Sequence, residues 1–142
     1  MSSTKIISIN VKGVNHAIKR KKILKWLKKE KADIALLQET HLTDIEHEKL
    51  KREWVGQIYF SSFCSSRRGV AILEHRNIPF NFEKCVKDVE GRYVLTQGTL
   101  YGESFMIGCI YAPNVYMSTF YSKLTSDISS LSTLITIKDP PI

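Results

Sequence analysis

The stretch Ala32-Asp33-Ile34-Ala35-Leu36-Leu37-Gln38-Glu39-Thr40-His41-Leu42 decides how the rest of the chain is read. Ile34 to Leu37 form a short continuous apolar run, the pattern of a strand covered on both faces. Four polar residues follow at once. A carboxylate at the carboxyl end of a buried strand sits where open α/β sheets place their ligands. Glu39 is therefore the first candidate for chemistry, unless it simply opens a solvated loop.

Upstream, Lys5 to Val11 is rich in β-branched residues and predicts a first strand, with Asn10 near its carboxyl end. Gly13 and Asn15 mark a turn, with Asn15 as the N-cap of a helix from about His16 to Glu30. Ile23, Leu24 and Leu27 supply its buried stripe, with Ile18 one turn earlier and Trp26 on the flank. Strand, helix and strand within some 30 residues make a βαβ unit, with parallel strands and a right-handed crossover. Asn10 and Glu39 then emerge on one sheet edge, roughly 5 Å apart laterally if the strands are neighbours.

The net charge of +7 is concentrated. Lys12 to Lys31 holds nine basic residues and one acid, while the rest of the chain carries 12 basic and 13 acidic side chains. Such a stripe suits a polyanion, nucleic acid above all, or is a solvated lysine face. Lys19, Arg20, Lys21, Lys22 and Lys25 are the candidate nucleic-acid contacts. No apolar run approaches the ~20 residues of a membrane span, and the N-terminus has no apolar signal segment. Cys64, Cys85 and Cys109 match neither a disulfide framework nor a zinc pattern. The expectation is a reduced, intracellular protein, nuclear or cytoplasmic, of 142 residues, forming one domain or part of one.

Downstream, Thr43-Asp44-Ile45-Glu46 is a capping box opening a short helix to about Trp54. Five strand-like runs follow, Gln57–Phe63, Gly69–Glu74, Phe80–Lys87, Arg92–Leu100 and Glu103–Tyr111, separated by turn signals. They predict antiparallel hairpins, so the chain reads as a βαβ entry feeding a meander, an α+β arrangement. Pro113 stops the last strand and holds Tyr111 and Asn114 on a short stiff loop. A phenol and an amide beside a carboxylate can contact a phosphate and its metal; Tyr111 can equally be a strand-end aromatic packed on the core. A further helix over Met117 to Leu131 carries the stripe Phe120, Leu124, Ile128 and Leu131, and Thr133 to Ile137 begins one more strand.

The series Asn10-Val11-Lys12-Gly13-Val14-Asn15, Gln38-Glu39-Thr40-His41-Leu42, Gly69-Val70-Ala71-Ile72-Leu73 and Tyr111-Ala112-Pro113-Asn114 closely resembles the endonuclease domain of LINE-type retrotransposon proteins. These belong to the endonuclease/exonuclease/phosphatase superfamily, with apurinic endonucleases and exonuclease III. Gly91-Arg92-Tyr93 and the basic helix with Lys19-Arg20 fit too, and the resemblance runs from about Ile6 to about Leu134. It implies a two-sheet α/β sandwich with flanking helices. It also implies Mg²⁺-dependent nicking of target DNA, with Mn²⁺ as a substitute and no small-molecule cofactor. Glu39 matches the metal-binding carboxylate, Asn10 the amide supporting metal and phosphate, and Tyr111 and Asn114 the active-site tyrosine and its asparagine. The family's Gly-Asp-Phe-Asn and Ser-Asp-His motifs have no counterpart here; Asp139 lacks their glycine and asparagine, and His16, His41, His47 and His75 occupy none of those places. The expectation is thus the N-terminal portion of such a domain, residues 1–142, inactive alone. The alternative is a noncatalytic remnant serving at most as a basic nucleic-acid-binding module.

Overall fold

The computed structural model describes residues 3–132. Its strands are β1 (Ile6–Asn10), β2 (Ile34–Gln38), β3 (Gly56–Ser61), β4 (Val70–His75), β5 (Phe80–Lys87), β6 (Tyr93–Leu100) and β7 (Glu103–Ile110). Its helices are α1 (Ala17–Lys29), α2 (Asp44–Lys49, continued by a 3-10 turn at Leu50–Arg52) and α3 (Ser118–Ser132).

Two sheets form. The first has the order β1-β2-β4-β3 and the second β5-β6-β7. β1 and β2 are parallel, as the βαβ reading requires, with Asn10 opposite Gln38. Every other pairing is antiparallel. Only the second sheet is a meander. The hairpin β3–β4 instead inserts β4 beside β2, and the chain crosses to the second sheet between His75 and Phe80. Like β2, β4 is a continuous buried run from Val70 to Glu74, the pattern of a central strand with both faces covered, and it lies between β2 and β3.

Those faces explain the apolar run. Ala35 and Leu37 point with Ala71 and Leu73 to a core shared with Leu24 and Leu27 of α1 and with Leu50 and Trp54. Ile34 points with Val70 and Ile72 to a second core closed by Val94, Ile107 and Cys109 of the other sheet. A third core joins Tyr93 and Leu95 to Phe120, Leu124 and Leu131 of α3. The layers run helices, sheet, sheet, helix: the α+β sandwich expected, here in its described part.

Three helical expectations need correction. Asn15 does not cap α1. His16 holds the cap position without a side-chain bond, and the Asn15 amide donates instead to the Ser65 carbonyl at 2.9 Å, tying two loops together. Ile18 is 62% exposed. It lies five residues before Ile23, a spacing that at 3.6 residues per turn carries it off the buried stripe. Ile128 likewise sits at the margin of its stripe rather than in the core. The Thr43 capping box is present in both directions, Glu46 N to Thr43 Oγ1 at 3.2 Å and Thr43 N to Glu46 Oε1 at 3.0 Å. The strand expected at Thr133 to Ile137 lies outside the described residues.

Glu74, at the end of β4 away from the β2 carboxyl end, is buried between the sheets. Its Oε2 makes no hydrogen bond among the described residues. Burial pushes its carboxyl up to about 7, against a smaller opposing effect of the hydrogen bond from Tyr59. The same burial and the nearby Glu74 raise the Tyr59 phenol.

Candidate active site

Parallel strands end on one edge, and there the amide and the carboxylate meet. Asn10 Nδ2 donates to Glu39 Oε2 at 2.6 Å, and Asn10 Oδ1 accepts from Lys12 N at 3.0 Å. The second bond fixes which end of the amide faces the carboxylate. Glu39 and His41 both adopt left-handed backbone, with φ of 55° and 56°. Non-glycine residues in that region carry strain of order 1–3 kcal/mol each and persist only where the surroundings fix them.

The surroundings do so from both sides. Gly13 N donates to Glu39 O at 2.7 Å and Val14 N to Thr40 O at 2.9 Å; Thr40 N donates to Gly69 O and His41 N to Arg68 O. Between the two strained residues Thr40 is fully buried. Its Oγ1 lies 2.8 Å from His47 Nε2, and His47 Nδ1 lies 2.8 Å from Ser62 Oγ. The His47 ring stacks on Phe60 with centroids 4.8 Å apart. Burial dominates the imidazole's charge balance and lowers its pKa to about 4, so it is neutral. Gly69, at φ 93°, is a position where only glycine fits: a Cβ there would lie 2.4 Å from Thr40 Oγ1. The Glu39 loop is thus clamped by a buried hydroxyl–imidazole–hydroxyl chain.

Tyr111 closes the site from the second sheet. Burial raises its phenol pKa first, then the charge of Glu39 and a hydrogen bond with it, while Arg92 and Arg68 act in the opposite direction. The Arg92 guanidinium lies 5.6 Å from the Tyr111 ring centroid and donates to its carbonyl at 3.4 Å. Asn114 is exposed and makes no hydrogen bond among the described residues. Asn10, Glu39 and Tyr111 are therefore brought together, and Asn114 stands on the adjoining loop.

The basic residues of α1 divide. Lys19 Nζ donates to Lys12 O at 3.1 Å, beside the Asn10 turn, and Arg20 pairs with Glu53 at 3.4 Å. Lys22 is exposed, whereas Lys21 and Lys25 line a groove on the other flank of the helix. Two site residues escaped the sequence reading. His41 Nε2 is 3.9 Å from Glu39 Oε1 and is buried without a hydrogen bond among the described residues. No local pattern placed it there, since β2 ends at Gln38 and the left-handed backbone at Glu39 and His41 is what turns the ring toward the carboxylate. Arg92 was the other, set beside Tyr111 by the pairing of Tyr93 with Ile110.

The donor set fits a hard divalent cation. Glu39 offers Oε1, too far from His41 for a hydrogen bond, while Asn10 steadies Oε2. Mg²⁺ keeps several waters and is commonly held by one or two carboxylates plus phosphate oxygens. Among the described residues no group of three or more His, Cys, Asp or Glu side chains converges to cage a metal, and Glu39, steadied by Asn10, is the residue gathered here that would hold such an ion.

Next to this edge the loop Phe63–Arg68 carries Cys64, whose Sγ lies 3.3 Å from Ser66 Oγ. That hydrogen bond and those of neighbouring backbone pull the thiol down to about 7. Arg67 and Arg68 flank the Phe63 ring at 5.2 and 4.3 Å.

Known structures share this architecture. The chain is similar to TDP2 from D. rerio, solved with a single strand DNA product: 17% identity, TM-score 0.62, 94% of this chain and 56% of that one. It is similar to the endonuclease domain of TRAS1, a telomere-specific non-LTR retrotransposon: 9% identity, TM-score 0.58, 87% of this chain and 52% of that one. It is also similar to a mannosyl-6-phosphatase of Bacteroides thetaiotaomicron VPI-5482: 12% identity, TM-score 0.63, 96% and 62%. At these identities the likeness is one of fold, and the chain spans about half to three-fifths of the length of each. No helix among the described residues is long and apolar enough to cross a membrane. The profile of the Endonuclease/Exonuclease/phosphatase family matches residues 7–119, the span that holds Asn10, Glu39, Tyr111 and Asn114, and the chain belongs to that family.

Proposed function

We propose that residues 1–142 are the N-terminal portion of a retrotransposon-type, Mg²⁺-dependent DNA endonuclease domain, poorly active alone. The observation that carries this reading is the 2.6 Å contact of Asn10 with Glu39 at the edge where Tyr111 also meets Glu39. A metal at Glu39 supplies charge neutralisation on a scissile phosphate. Asn10 orients the carboxylate through Oε2. Tyr111, its phenol pKa raised, stays protonated and can donate a hydrogen bond. Arg92 beside it and Arg68 attract the phosphodiester. Asn114 stands on the loop where it can meet the same group.

A polymeric substrate is favoured over a small sugar phosphate by the charge. The basic segment from Lys12 to Lys31 far exceeds what one phosphate requires. Lys19 and Lys22, with Arg20 behind them, are the proposed phosphate contacts nearest the site, and Lys21 and Lys25 add to the field along α1. Duplex DNA should bind with an affinity falling with salt at a log–log slope of about −0.9 per phosphate contact. Fluorescence anisotropy across salt concentrations tests this. A slope near zero, or binding unchanged after neutralising Lys19, Arg20 and Lys22 together, would remove DNA as the substrate. The second reading, a basic binding module without hydrolysis, is favoured by the lack, among the described residues, of a cluster of three or more His, Cys, Asp or Glu side chains that could hold a metal. It shares the salt slope and differs in requiring no metal.

A further inference from the structure

The flank of α1 that carries Lys21 and Lys25 faces away from Glu39, over a groove of about 600 Å³. It lies between the second half of α1, the turn into β2 and the segment before β3. Its floor is Leu24, Trp54 and Val55. The Trp54 indole N–H is already bonded to Glu74 O at 3.1 Å, so the ring offers the groove only carbon. Val55 is 49% exposed beside the buried Trp54.

Four lysines rim this floor: Lys21, Lys25, Lys28 and Lys31. At spacings of four and three residues Lys21, Lys25 and Lys28 make one stripe on the helix, and Lys31 follows just past its end. None forms an ion pair among the described residues. The two acids at the groove are already engaged: Asp33 accepts from Lys5 N at 2.8 Å, and Glu53 pairs with Arg20. Lys31 is held in left-handed backbone, φ 55°, at the helix end where glycine is the easier residue. From Lys19 to Lys28 the helix rises roughly 14 Å, which sets this charge well away from the phosphate site.

We infer that this groove docks an acidic amphipathic peptide segment of a partner protein, apolar side chains on the Leu24–Trp54–Val55 floor and carboxylates on the lysine rim. Charge complementarity selects an anion, since the four cations have no internal partner. The floor selects a peptide over a nucleic-acid strand. Single strands are held by stacking bases on exposed aromatic faces, and Trp54 is only 7% exposed. A groove with a few apolar anchors and charged borders is the form in which amphipathic segments are recognised. The inference is independent of the endonuclease reading.

The probe is a fluorescein-labelled peptide of about 15 residues with Leu and Phe at i, i+3, i+4 and i+7 and Glu elsewhere. Two controls accompany it: a scramble of the same composition that breaks the apolar face, and a labelled single-stranded oligonucleotide. Anisotropy should show the patterned peptide bound at least tenfold more tightly than the scramble. Lys28→Glu and Val55→Arg should each weaken it tenfold or more. Lys31→Gly should weaken it severalfold while raising the melting temperature, because the left-handed position is relaxed; that combination separates lost binding from lost folding. No binding of the patterned peptide, equal binding of the scramble, or an oligonucleotide that binds in its place and is lost with Lys28→Glu would each overturn the inference.

Discussion

Glu39→Gln is expected to abolish the Mg²⁺-induced changes in the NMR spectrum of this chain while leaving its fold intact. The substitution keeps the shape of the side chain and replaces the Glu39 carboxylate by a neutral amide. Mg²⁺ demands oxygen ligands at about 2.0–2.1 Å and dehydrates reluctantly, so a charged ligand is what draws it from water. The loss should be tenfold or more in apparent affinity, roughly 1.4 kcal/mol or above. Asn10 can still donate to the amide oxygen, so the strand ends should stay together. Metal-induced shifts of the same size in Glu39→Gln would sink the assignment. Cleavage gives a second readout. General acid–base help is worth about 10²–10⁴-fold, and the family's Ser-Asp-His motif that would supply the base has no counterpart in this sequence. A supercoiled-plasmid assay should therefore show little nicking by the chain itself. Robust nicking that disappears in Glu39→Ala would instead place a water-activating group within these residues.

Acid and alkaline limbs of stability should come apart when His47 or Glu74 is replaced. His47 is neutral in the fold down to about 4, against 6.5 when free. Between those values only the unfolded chain holds the proton, so stability falls as pH falls through that window, by about 3 kcal/mol in total. Glu74 behaves in the opposite sense. Its folded carboxyl keeps the proton up to about 7, against 4.5 when free. The native state then binds the extra proton, and stability falls as pH rises through that window, again by about 3 kcal/mol. In the overlap, from 4.5 to 6.5, the two slopes oppose. The native chain should show a nearly flat urea midpoint there. His47→Gln should make the midpoint fall with rising pH, and Glu74→Gln should make it fall on acidification. Parallel profiles for all three proteins would show that neither group titrates as its burial requires.

The features legible in the sequence were those fixed by local chemistry. The boundaries of β5 at Phe80–Lys87, the Thr43 capping box and the parallel β1–α1–β2 unit follow from neighbours within a few turns. The meeting of Asn10 and Glu39 followed as well, because parallel strands must end together. Long-range choices were not legible. Nothing near Val70 says that β4 lies beside β2 rather than continuing a meander. Asn15 satisfies every rule for a helix cap, yet its amide binds Ser65, 50 residues away. His41 stands inside the Gln38–Leu42 motif but was given no role, because it matches none of the family's catalytic positions. Its place beside Glu39 depends on left-handed backbone on either side of Thr40, whose hydroxyl is held by the buried His47 ring.

The lowered thiol of Cys64 has a practical consequence. With a pKa of about 7, roughly half of it is thiolate at neutral pH. Burial raises Cys85, and raises Cys109 to about 12, leaving both almost wholly protonated. A maleimide dye therefore has one fast point of attachment. That point neighbours Ser65, whose carbonyl holds the Asn15 amide beside the Asn10 turn. The chain thus carries its own mounting for an optical reporter at the rim of the site, with no engineered cysteine and none to remove.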